Sequence, residues 1–118
     1  MPTLLIADDS MFQRFIQAKV AREAGFTVVE AKDGIQCLQL AGSCQPDLLL
    51  LDLNMPGMGG LDVLKSLRQE GSPLKVLVLT ADIQDTTRKL CEDLGVTGFI
   101  NKPVSEDVLR ERLLTAVG

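Results

Sequence analysis

Residues 48–57 read Leu-Leu-Leu-Leu-Asp-Leu-Asn-Met-Pro-Gly. A nearly unbroken apolar run closed by a Pro-Gly turn signal describes a strand buried on both faces. Such a strand belongs to a parallel sheet covered by helices on both sides, so matching elements should flank it. Val76–Thr80, read VLVLT, repeats the pattern, and shorter runs occur at Leu4–Ala7, Thr27–Glu30 and Gly98–Ile100. Helix-period segments lie between them: Phe12, Phe15, Ile16 and Val20 share one face, as do Ile83, Thr87, Leu90, Cys91 and Leu94, and Val104, Val108, Leu109 and Leu113. Ser10 and Ser105 are expected N-caps, and Gly25, Gly71 and Gly95 expected helix stops. Strict alternation predicts an α/β fold, a (βα)5 doubly wound parallel five-stranded sheet with right-handed crossovers. The 118 residues make one domain, 1–118.

Composition narrows what this domain does. The net charge is −4 and no Lys/Arg-rich run occurs, which argues against direct nucleic-acid binding through phosphate contacts. No apolar stretch is long enough to span a bilayer. The N-terminal MPTLLIADDS lacks a basic segment and meets two acids by Asp9, so it does not read as a signal peptide. The expectation is a cytoplasmic protein. Cys37, Cys44 and Cys91 form no CxxC pair, and the chain has no His. The cysteines are expected to be buried small hydrophobes. Without His, Ser-His and Cys-His pairs and any phosphohistidine step within the chain are excluded. The chemistry must run on carboxylates, Lys, hydroxyls or a metal.

In open parallel sheets the ligand site lies at the carboxyl ends of the strands. The first run ends in Asp8-Asp9, the third in Asp52, the fourth in Thr80 and the fifth in Asn101-Lys102-Pro103. The second, expected at an edge, ends without a reactive group. Each residue alone has an ordinary reading: an N-capping Asp, a β-branched strand end, an exposed Lys. Together they place three carboxylates, a hydroxyl and an ammonium on one rim. Two unit charges ~4 Å apart repel by about 4 kcal/mol at an effective dielectric near 20. Lys102 offsets only part of that, and an oxygen-only donor set points to Mg²⁺, with Mn²⁺ as a substitute. A metal-bridged carboxylate beside a Lys and a hydroxyl is suited to phosphoryl transfer to Asp.

The motifs LLIADDS, LLLLDLNMPGMGGLDVL, VLTA and GFINKP together resemble the response-regulator receiver domains of two-component signalling, especially the single-domain chemotaxis regulators, over essentially all 118 residues. The resemblance implies the flavodoxin-like strand order 2-1-3-4-5. It implies Asp52 as phosphoacceptor, Asp9 as a direct Mg²⁺ ligand, Asp8 acting through water, and the Asn54 backbone carbonyl as a further ligand. Lys102 is implied to bind the phosphoryl group, with Lys102–Pro103 cis. Thr80 and Phe99 are implied as the switch pair, and Asn54 and Asp82 as residues that tune hydrolysis of the phosphoryl-Asp. The implied partners are a histidine kinase as phosphodonor and a protein target such as a flagellar switch or phosphatase, read through the surface of the fourth helix, fifth strand and fifth helix.

Three other readings compete. A haloacid-dehalogenase-type phosphatase would need a second Asp two residues after its nucleophile, where this chain has Asn54. A flavin-binding module would need aromatic stacking, and the chain has no Trp or Tyr. A receiver-like module that is never phosphorylated would lack part of the rim chemistry, none of which is missing here.

Overall fold

In a computed structural model, which describes residues 1–81 and 84–118, the chain alternates strand and helix throughout. The order is β1 (Thr3–Ala7), α1 (Met11–Glu23), β2 (Thr27–Ala31), α2 (Gly34–Cys44), β3 (Leu48–Asp52), α3 (Gly60–Gln69), β4 (Lys75–Thr80), α4 (Asp85–Asp93), β5 (Gly98–Asn101) and α5 (Glu106–Val117). The strands form one parallel sheet in the order 2-1-3-4-5, so the expected fold is the observed one. β3 sits between β1 and β4, with Leu49 opposite Leu5 on one side and Val76 on the other. The switch in connection direction falls between β1 and β3, the strands that end in the acids.

The four leucines of β3 alternate between the faces, and each face has its own core. Leu48 and Leu50 join Leu4, Ile6, Leu77, Leu79 and Ile100 under α1 and α5. Leu49 and Leu51 join Leu5, Val76, Val78 and the buried residues of α2 and α3. Burying one Leu side chain contributes roughly 1.5–3 kcal/mol, so a strand apolar on both sides is held in register from both.

The ends follow local chemistry. The Ser10 and Ser105 hydroxyls accept the backbone N–H of Gln13 and Val108, capping α1 and α5 as expected. Gly25, Gly71 and Gly95 each follow a helix with φ of +99°, +77° and +75°, a region that favours glycine. Arg68, near the end of α3, donates to the carbonyls of Leu94, Ser72, Leu74 and Gly95, tying the C-terminal ends of α3 and α4 to the entry of β4.

Two expectations need correction. Phe12 and Phe15 do share a face, but it points outward, 73% and 68% exposed, whereas α1 buries Gln17, Ala18, Val20 and Ala21. Periodicity groups residues on a face without saying which face meets the sheet, and the alanines let the helix lie close. Cys37 and Cys91 are buried, but Cys44, at the end of α2, is exposed. Burial pushes the Cys37 thiol up to about 12. Val108 and Leu90 are also about half exposed. Ile83, assigned to the α4 face, and Asp82 lie outside the described residues. Among the described residues, no helix is long and apolar enough to cross a membrane.

Candidate functional site

The carboxyl ends of β1, β3, β4 and β5 converge at one end of the sheet. Asp52 is the last residue of β3 and only 4% exposed. Its Oδ1 accepts the Asn54 backbone N–H at 3.0 Å, and its Oδ2 accepts from Lys102 Nζ at 3.3 Å. Asn54 and Asp9 are exposed at the rim. Asp8 is 1% exposed, yet the structure surrounds it with donors. Its Oδ1 accepts the Ser10 N–H at 2.9 Å, its Oδ2 accepts Gln17 Nε2 at 3.2 Å, and Lys102 Nζ lies 3.7 Å from Oδ2. One carboxylate oxygen from each of Asp8, Asp9 and Asp52 lies within 4.8 Å of the others.

Lys102 is placed by backbone as well as charge. Thr80 pairs in register with Asn101, and the Lys102 N–H donates to the Thr80 carbonyl at 2.8 Å. The Lys102–Pro103 peptide is cis, as the resemblance implied. Thr80 is buried at the end of β4. Phe99 lies on β5 opposite Val78, half-buried, with the Arg88 guanidinium 4.9 Å from its ring centre.

Two residues at the site escaped the sequence reading. Arg14 Nη1 donates to the Asp8 carbonyl at 2.6 Å, while its Nε lies 3.4 Å from Glu30 Oε1, fastening the β1–α1 turn to β2. Gln17 reaches Asp8 from the second turn of α1. The available signal was a polar amide beside Ala18 and Ala21, at positions where a sheet-facing helix is apolar. Asp82 lies outside the described residues.

Burial raises the Asp52 carboxyl above its ordinary value, the Asn54 N–H and Lys102 pull it back down, and Asp8 adds a smaller upward push. Three acids face one Lys at the described rim, leaving negative charge to be balanced. The donors are all oxygen and one is exposed, which fits a hard divalent cation that keeps part of its water. No soft ligand or imidazole is in the cluster.

The model of the response regulator receiver domain matches residues 4–114, and the chain belongs to that family. It is a receiver domain of two-component signalling, a phosphorylation-based switch, with chemotaxis proteins among its relatives. Chemotaxis protein CheY of Pseudomonas aeruginosa is 36% identical, the match covering 93% of this chain and 91% of that protein. The sensor protein EvgS of Escherichia coli is 35% identical over 94% of this chain, which spans only 9% of EvgS. Other curated relatives are also longer, the chain spanning 47% to 55% of two of them. The solved structure of Vibrio cholerae chemotaxis protein CheY4 superposes with a TM-score of 0.92 at 28% identity, covering 98% of each chain.

Proposed function

We propose that the chain accepts a phosphoryl group on Asp52 from a histidine kinase or a small phosphodonor, with Mg²⁺ bound, and passes the change to a protein partner. The observation that supports this most directly is the buried Asp52 carboxylate with the Lys102 ammonium at 3.3 Å inside a cluster of acids. An Asp52 carboxylate oxygen attacks phosphorus as the donor's P–N or P–O bond breaks. With a phosphohistidine donor the leaving imidazole takes a proton from solvent, with an acyl phosphate donor a carboxylate anion leaves, and in both cases the acyl phosphate remains on the protein. The Lys102 ammonium pairs with a phosphoryl oxygen, and the Thr80 hydroxyl donates to another. Asp9, Asp52 and the Asn54 carbonyl would hold Mg²⁺, with Asp8 acting through water. The ion would neutralise charge on the transferred group. The domain thus acts on its own phosphorylation and dephosphorylation without turning over a separate product. Asn54 and, by position, Asp82 tune attack of water on the phosphoryl-Asp. Met11, Phe12 and Phe15 expose apolar surface on α1 next to the rim, where a kinase domain can seat.

The metal assignment predicts a stability effect. Mg²⁺ at about 100 times its Kd should stabilise the fold by about 2.7 kcal/mol. The thermal midpoint should rise with Mg²⁺, and Asp9→Ala should remove the rise. An equal rise in both proteins would place the ion elsewhere.

Signal output follows from the neighbours of Thr80. When its hydroxyl turns to the phosphoryl group, space opens beside β5, and Phe99 can move inward. Added burial of the ring is worth roughly 1–3 kcal/mol, enough to shift a two-state equilibrium about tenfold or more. The α4–β5–α5 surface then changes, and a target such as a flagellar switch or phosphatase that prefers the changed surface binds the phosphorylated form more tightly. Beryllofluoride, a phosphoryl mimic, should move amide resonances across residues 85–94 and 98–112. A response confined to the Asp52 rim would overturn the switch while leaving the phosphoryl chemistry intact.

A further inference from the structure

We propose that Gln17 is a positioning residue that holds Asp8 away from Lys102, so that Lys102 stays on Asp52; this rests on the phosphoryl-acceptor reading above. Gln17 is 5% exposed, on the buried side of α1 with Ala18, Val20 and Ala21. A buried amide is costly unless its groups are bonded. Here the bonding is half complete. Nε2 donates to Asp8 Oδ2 at 3.2 Å, while Oε1 is buried with no hydrogen-bond partner among the described residues. A side chain kept only for packing would be Leu or Met at this position, with no orphaned acceptor. The feature that the amide supplies and an aliphatic does not is the N–H on Asp8.

Lys102 explains why that N–H matters. Its Nζ is 3.3 Å from Asp52 Oδ2 and 3.7 Å from Asp8 Oδ2, so two buried carboxylates draw on one ammonium. Gln17 supplies Asp8 Oδ2 with a second donor from α1, and the donor carries no charge. The Ser10 N–H holds the other oxygen. Asp8 is therefore pinned by neutral donors at the start of α1, while Lys102 lies closer to Asp52. A Lys or Arg at position 17 would pin Asp8 equally well but cancel the charge that a divalent ion needs. A neutral donor does the first without the second.

Gln17→Met keeps the length and shape of the side chain and removes only the amide, and Gln17→Leu is a second variant should Met pack poorly. Three measurements separate positioning from packing. In metal-free protein, the thermal midpoint should be unchanged or higher, because the orphaned acceptor is gone. The Lys102 Cε and Nζ resonances should shift as the ammonium moves toward Asp8. The Mg²⁺ concentration giving half the thermal shift should rise about tenfold, the scale of losing a group that orients a metal-binding residue. Unmoved Lys102 resonances with an Mg²⁺ midpoint matching wild type would overturn the proposal, as would a loss of stability with Mg²⁺ binding intact. Failure of wild-type protein to take phosphoryl from acetyl phosphate would overturn the functional reading instead, while the metal-free Lys102 comparison still decides the role of Gln17.

Discussion

Asp52→Asn should lose all labelling by acetyl phosphate while remaining folded, as read on phosphate-affinity gels with and without Mg²⁺. An amide neither attacks phosphorus usefully nor offers an anionic ligand to the metal, so the expected loss is complete. The fold should survive because the substitution hardly changes volume and β3 is fixed by its leucines, all four buried. Asn has one acceptor oxygen where Asp52 uses two, for the Asn54 N–H and for Lys102, so one of those contacts is given up. Relief from burying a charge offsets that, and in Mg²⁺-free solution the two proteins should agree within about 1–2 kcal/mol. The sign with pH is fixed by the raised Asp52 carboxyl. The folded state holds the proton more tightly than the unfolded state, so wild-type stability relative to the variant should fall as pH rises from about 3.9 through the folded value, then level off. Labelling of Asp52→Asn at wild-type stoichiometry would sink the assignment of the acceptor.

The second large effect is expected from Gly60→Ala, where one methyl group is added at the start of α3. A Cβ there would stand 2.5 Å from the Asp52 carbonyl oxygen and 2.7 Å from the Leu53 Cα. Both are backbone atoms of the acceptor loop and cannot rotate aside. The Gly60 N–H also donates to the Leu53 carbonyl at 3.1 Å, so helix and loop cannot separate without losing a bond. Gly34 plays a similar part on the other side, where a Cβ would lie 2.5 Å from the Met58 carbonyl. Overpacking of this kind typically costs about 1–3 kcal/mol and occasionally more. For a chain of this length that lowers the thermal midpoint by roughly 5–15 °C. Phosphorylation should slow as well, since the shift is passed directly to Asp52. Wild-type stability in Gly60→Ala would mean that the acceptor loop yields easily and is not braced by α3. The same substitution at Gly42, where the added methyl group meets nothing within 4 Å, is the control.

Much of this was legible in the chain because strands buried on both faces have to be written in apolar residues, and because reactive groups at their ends stand out against that background. The run from Leu48 to Leu51 could hardly be anything else, and it carried Asp52 with it. The acids, Thr80 and Lys102 stand at or just beyond the ends of such runs, where they interrupt the apolar pattern. The orientation of α1 was not legible. Phe12 and Phe15 outweigh Ala18 and Ala21 in hydrophobicity, yet close approach to the sheet favours the small residues, and that preference is steric and set by the tertiary packing. Gln17 and Arg14 were missed for a related reason: in sequence they are unremarked helix residues, and only the β1–α1 turn brings them against Asp8. The ring contact between Arg88 and Phe99 depends on two elements meeting across the sheet edge, which no local pattern encodes.

The strand order has a consequence for how such a protein can change its wiring. β3 divides the sheet, with β1 and the acids that follow it on one flank and β4 and β5, with Thr80, Phe99 and the following Lys102, on the other. On the proposed function, ion capture would sit on one side of Asp52 and readout on the other, with Asp52 and Lys102 common to both. Under that reading, substitutions along the outer surface of α4 and α5 would redirect the signal to a new recipient and leave the Asp8–Asp9 pair unchanged. Vocabulary can be replaced at one edge of the sheet without rewriting the grammar at its centre.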